Sequence, residues 1–213
     1  MSATSVTPGI LITFEGVEGA GKTTQITLLR TLLESRGHTV RLTREPGGDA
    51  VSETVRTLVL NRDVTPRAEL LLFLASRAQN VESVIRPALA AGEIVISDRF
   101  IDSSVAYQGY GREIGRDLVY ELNLFATGGV KPHITVLLDL DPEIGLSRQS
   151  ERNRMEAESL EFHRRVREGF LREAANDKER FCVLEATGNP EDIHGAIAHR
   201  VLNRLAVPTT AGT

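Results

Sequence analysis

Gly16-Val17-Glu18-Gly19-Ala20-Gly21-Lys22-Thr23 matches the pattern GxxxxGK[ST] in full. Its glycines allow a backbone curl whose N–H groups point inward at phosphate oxygens, and a helix begun by Lys22 adds its positive dipole end. Lys22 would then reach the β- and γ-phosphates of ATP, the Thr23 hydroxyl would ligate Mg²⁺, and Thr24 would complete the nucleotide contacts. The alternative, a Gly-rich turn that happens to contain Lys, fits less well because an apolar run precedes the motif and a helical pattern follows it. Lys occurs only at 22, 131 and 178, among 25 basic residues in all, so a lysine at the cradle stands out against an Arg-biased chain.

A cradle of this kind needs a strand before it and a helix after it. Ile10–Glu15 reads as a buried strand, with a helix over about 22–35 ended by Gly37. Further strands are predicted over 39–43, 93–97, 134–140 and 181–185. Helices are predicted over about 51–60, 66–91 and 190–205, with two between 102 and 127 separated by the glycines at 109, 111 and 115. This rhythm predicts an α/β fold: a five-stranded parallel sheet with helices on both faces, of the P-loop NTPase type, with the P-loop strand central. The stretch 148–178 is rich in Arg and Glu and reads as helical in its second part. Residues 1–213 read as a single domain, with disordered tails at 1–8 and 206–213.

The length of 213 residues suits one domain, and 41% hydrophobic with 25% charged residues excludes disordered and fibrous classes. A net charge of −4 argues against nucleic acid as a partner. Cys182 is the only cysteine, which excludes a disulfide framework and a cysteine zinc cluster. The N-terminal stretch lacks a basic region and an apolar region, and no run is long enough to span a membrane, so the expected location is cytoplasmic. No Asn-Lys pair exists to read guanine, which disfavours a GTPase switch and leaves a small-molecule kinase.

The chain resembles thymidylate kinase (dTMP kinase), of the P-loop nucleoside monophosphate kinase superfamily. The resemblance rests on five blocks in order: FEGVEGAGKTTQ (14–25), TREPGG (43–48), LLFLASRAQ (71–79), DRFIDSSVAYQGYGR (98–112) and EFHRRVREGF (161–170). It implies γ-phosphoryl transfer from Mg·ATP to dTMP, a homodimer, and a cis Pro46. It further implies Asp98 on the magnesium shell or the transferred phosphoryl, and Arg99 and Arg44 on the acceptor phosphate. Phe73 would stack on thymine, Arg77 would donate to a base carbonyl, and Ser104 and Gln108 would lie near the base edge or on a helix surface. Tyr107 would crowd a ribose 2′-hydroxyl, and Glu18 would lie near the acceptor 3′-hydroxyl.

One variant of the family carries an Arg inside the P-loop, whereas positions 17–20 here hold none, so the resemblance implies that the cation neutralising the transferring phosphoryl comes from elsewhere. The resemblance points to a short lid at about 148–158, where Asn153-Arg154-Met155-Glu156 is similar to the lid-arginine variant of the family, with Asn in place of Asp. Arg148, Arg152 and Arg154 are all candidates, taken in the order Arg154, Arg148, Arg152. Two rival classes remain open: another nucleotide kinase, and a catalytically silent nucleotide-binding module.

Overall fold

The computed structural model describes residues 9–149 and 153–206. Strand β1 (Ile10–Glu15) is buried along its whole length, as a strand covered on both faces must be, and it leads into the loop before α1 (Lys22–Ser35). Next come β2 (Val40–Arg44), α2 (Ala50–Asn61) and α3 (Pro66–Asn80), which passes through a π-helical turn (Val81–Ile85) into α4 (Arg86–Ala90). Strand β3 (Ile94–Asp98) is followed by α5 (Ile101–Ser104), a π-helical segment (Val105–Gly111) and α6 (Arg116–Thr127). Strand β4 (Ile134–Asp139), α7 (Pro142–Ser147), α8 (Leu160–Asn176), β5 (Phe181–Glu185) and α9 (Pro190–Ala206) complete the chain.

All four strand pairings are parallel, in the order β2-β3-β1-β4-β5, so the P-loop strand is central as its apolar run predicts. On one face, side chains of β1, β3 and β4 pack with Ile26, Leu29 and Leu33 of α1 and with Ile197 and Val201 of α9. The other face carries Leu11, Val95 and Leu137 against the π-helical turn after α3, α5 and α8. Side-chain caps fix the helix starts that flank the site. Asp49 accepts from the N–H groups of Val51 and Ser52 at α2, and Ser159 accepts from that of Phe162 at α8. Helix α1 instead begins at Gly21, in the left-handed region at φ 89°, with no side-chain cap, which leaves its first N–H groups for an anion.

Two elements differ from the reading of the sequence. The helix expected over 66–91 contains a π-helical turn, and the glycines at 109 and 111 lie inside a π-helical segment instead of breaking it. A Cβ at Gly111 would collide with Phe162 and Val166, so that glycine lets α8 approach. Of the lid expected at 148–158, residues 150–152 lie outside the described residues. So do the tails, except Ala206, which ends α9.

Candidate active site

The carboxyl ends of β1, β2 and β3 open on a cavity of about 530 Å³. Ligands of open parallel sheets bind at this edge. The P-loop forms one end: Gly16, Gly19 and Gly21 all have positive φ, which the curl of the loop requires. Lys22 is buried and folds back over the loop, its Nζ donating to the carbonyls of Gly16 (3.1 Å) and Val17 (2.9 Å). Burial and the neighbouring Arg99 guanidinium push its pKa down to about 8.

Arg99 follows β3 with φ 71°, a left-handed backbone that costs a side-chain-bearing residue on the order of 1 kcal/mol. That conformation brings its guanidinium back over the loop. It donates to the Gly16 carbonyl (3.0 Å), Ser103 Oγ (3.1 Å) and Glu18 Oε1 (3.0 Å), and it lies over the Tyr107 ring. Burial works against its charge, but Tyr107, Glu18, Asp98 and Glu15 together push its pKa up. Glu18 Oε1 also accepts from the Tyr107 hydroxyl at 2.7 Å. Burial would raise the Glu18 pKa, yet Arg99, Lys22 and the Tyr107 hydroxyl hold it below the usual carboxylate value.

Opposite the loop stand Phe73 and Arg77 of α3, Ser104 of α5, and Tyr107 and Gln108 of the π-helical segment, all lining the cavity. Arg77 is buried and heavily engaged. It donates to Glu45 Oε2 (2.6 Å), Ser104 Oγ (2.8 Å), Asn123 Oδ1 and the Phe100 carbonyl (2.9 Å). Four of its five N–H groups are thus used, and one remains for a ligand. Arg44 is exposed at the rim and paired with Glu53 at 2.9 Å, and the Glu45-Pro46 peptide beside it is cis, as the resemblance implies. The Asp98 Oδ1 atom is buried at the end of β3 with no hydrogen-bond partner among the described residues, and Thr23 lines the same cavity. An unsatisfied carboxylate oxygen on one lining residue and a P-loop hydroxyl on another are oxygen donors that fit a hard divalent cation.

The expected residues do not all converge. Val17 is buried in the core and gives the cradle only its carbonyl, and Gly16 likewise lies behind the cavity wall. Thr24 points outward from α1 and does not line the cavity. Arg154, first among the lid candidates, is turned away from the P-loop. Its side chain donates to Glu69 Oε2 (2.6 Å) and the Val59 carbonyl (2.9 Å), because a buried carboxylate outcompetes an open loop for it. Arg148, at the end of α7, reaches the P-loop instead, donating to the Gly19 carbonyl at 2.8 Å. Arg152 lies outside the described residues. Missed in the sequence were Arg56, which lines the cavity and donates to the Pro46 carbonyl (2.9 Å), and Ser103, which bridges Arg99 to Glu15. Arg56 gave no local signal, since an Arg on an amphipathic helix reads as solvated surface.

Fold and site together define a class: a P-loop kinase of nucleotides, with a phosphate cradle facing a second pocket of aromatic and cationic side chains. The family model described as thymidylate kinase matches residues 14–197. A thymidylate kinase of Maridesulfovibrio salexigens is 49% identical over 209 residues, covering 92% of this chain and 96% of that protein. One of Solidesulfovibrio magneticus is 50% identical over 201 residues, covering 88% and 96%. Among solved structures, thymidylate kinase from Ehrlichia chaffeensis superposes with a TM-score of 0.76 at 37% identity, covering 92% of this chain and all of that one. The chain belongs to the thymidylate kinase family.

Proposed function

We propose that this protein transfers the γ-phosphoryl group of Mg·ATP to dTMP, giving dTDP and ADP. The observation that carries this reading is the shared cavity, in which the P-loop and the Phe73–Arg77–Tyr107–Gln108 wall face each other with Arg99 between them. The attacking phosphate oxygen of dTMP is already an anion, so no strong general base is required. The protein aligns two mutually repelling anions and spreads their charge. Lys22 leaves the loop carbonyls for the β- and γ-phosphates, and the α1 N-terminus takes further phosphate oxygens. Arg99, Arg44 and Arg56 grip the acceptor phosphate from three sides. Of the two described lid arginines, Arg148 is the one aimed at the donor end. Thr23 and Asp98 would hold Mg²⁺, which would supply positive charge to offset the negative charge of the phosphates.

Phe73 presents a π-face to thymine, while Arg77 offers its remaining N–H to a base carbonyl with Ser104 and Gln108 at the same edge. Tyr107, fixed by its bond to Glu18 and its edge-on packing against Phe162 and Phe170, stands as a wall beside the sugar. We further propose a cytoplasmic homodimer with no nucleic-acid partner. Exposed Leu71, Leu118 and Phe125 on the packed pair α3 and α6 supply an apolar face for the dimer, and the net charge of −4 supports the absence of nucleic acid. Among the described residues no helix is long and apolar enough to cross a membrane. Incubation with γ-labelled ATP and dTMP tests the reaction: label is expected in the β-phosphate of dTDP, and ATP binding without labelled dTDP would leave only a nucleotide-binding module.

A further inference from the structure

Glu69 lies on α3 one turn before Phe73 and is fully buried, yet it does not line the cavity. Its two oxygens accept from four donors: Gln108 Nε2 (2.8 Å), Arg112 Nε (3.2 Å) and NH2 (3.0 Å), and Arg154 NH2 (2.6 Å). Burial would raise its pKa, but these hydrogen bonds and the Arg112 charge hold it below the usual carboxylate value, so it is ionised and can only accept. Gln108 therefore has one admissible amide orientation. The flipped form would set its Oε1 against a buried carboxylate oxygen, two acceptors with no proton between them. With one Nε2 N–H committed to Glu69, the Gln108 oxygen is the acceptor left for the cavity that Gln108 lines, and no described group donates to it. Arg77, in the same cavity lining, has one N–H with no partner among the described residues.

The wall thus offers an acceptor at Gln108 and a donor at Arg77. A thymine edge is complementary, with an N3–H donor next to the O4 acceptor. Cytosine inverts both, with a bare N3 and an exocyclic N4 amino group. We infer that Glu69 is a positioning residue for base selection: by holding the Gln108 carboxamide with its oxygen toward the cavity, it makes that position accept an N3–H and reject a base carrying a lone pair there. The inference rests on the placement of Gln108 at the base edge in the reaction proposed above.

Dissociation constants of dTMP and dCMP for wild type, Glu69→Gln, Gln108→Met and the double variant form the test. The Gln introduced at 69 can donate as well as accept, so both Gln108 orientations become available. Its preference for dTMP over dCMP is expected to fall about tenfold or more, the scale set by mispaired polar groups. Gln108→Met should lose the preference too, and the double variant should lose no more than Gln108→Met alone. An unchanged preference in Glu69→Gln beside a lost one in Gln108→Met overturns the role of Glu69, as would additive losses. An unchanged preference in both singles would instead remove Gln108 from the base edge.

Glu69→Gln leaves two arginines poorly compensated and could unfold. Wild-type protein then decides by NMR with labelled dTMP. A coupling across the hydrogen bond from N3–H to the Gln108 carboxamide carbon is expected, with the Gln108 amide protons unmoved. Transfer of those protons from Glu69 to the nucleotide would overturn the inference.

Discussion

At the residue scale the proposed reaction puts the largest single burden on Lys22, because its charge would be needed most when the phosphoryl group is in flight. Lys22→Ala is expected to lower kcat by roughly 10²–10³ in a folded variant, the scale of a lost electrostatic stabiliser. Near-normal turnover would remove this lysine from the mechanism. Its depressed pKa of about 8 carries a second consequence. Below pH 8 the ammonium is charged before ATP arrives, whereas above it the free protein holds a neutral amine that the phosphates must recharge. ATP binding should therefore take up most of a proton near pH 9 and little near pH 6.5, the sign expected when a ligand raises a lowered pKa. Calorimetry in two buffers of different ionisation enthalpy reads this directly, and Lys22→Arg should show no such uptake. The placement of Lys22 over the loop was legible from one motif because its hydrogen-bond partners, the carbonyls of Gly16 and Val17, lie in the same loop. Arg77 was legible as a face-sharing partner of Phe73, but its bonds to Glu45, Ser104, Asn123 and Phe100 were not, since those groups come from four distant positions.

The lid separates two readings at the scale of elements. Ion pairing with Glu69 draws Arg154 toward the acceptor wall, while α7 delivers Arg148 to the Gly19 carbonyl. Arg148→Ala is expected to lower kcat at least tenfold with a smaller change in ATP affinity, the mark of a contact that strengthens in the transition state. Arg154→Ala should act mainly through dTMP affinity, and a larger kcat loss for Arg154 than for Arg148 would restore the order expected from the sequence. The order Arg154 before Arg148 rests on sequence alone, whereas the destination of a long side chain depends on partners such as Val59, 95 residues away in the chain. The strands, by contrast, could be read within a residue or two, since an apolar run such as 10–14, interrupted only by Thr13, has no stable place except a sheet covered on both faces. The π-helical segment at 105–111 escaped notice because its glycines look like helix breakers until α8 is packed against them. Its extra width carries Tyr107 and Gln108 into the cavity wall, in keeping with the frequent occurrence of π-helical turns at functional sites.

For the molecule as a whole, the sheet joins stability to the site through Glu15 at the end of β1. Its oxygens accept from the Phe100 N–H (2.8 Å) and Ser103 Oγ (2.6 Å), which orders the turn that carries Arg99. Burial first, and then the charge of Asp102, push its pKa from 4.5 up to about 8. A raised carboxylate pKa gives stability that is full below pH 4.5 and is lost as pH rises through about 8. Glu15→Gln should remove that loss, so its urea stability relative to wild type is expected to improve between pH 5 and pH 8.5, by at least about 1 kcal/mol. A constant difference across that range would show Glu15 to be ionised throughout. The central claim remains that one cavity joins a phosphate cradle to a thymine-reading wall. The most direct measurement is kcat/KM for ADP formation with Mg·ATP across dTMP, dCMP, dAMP, dGMP and the ribose form of dTMP. The expected result is a preference for dTMP of at least about 10² over the other bases, with a smaller preference over the ribose form. Equal or better turnover of any other base, or no ADP formed with any acceptor, would contradict the account.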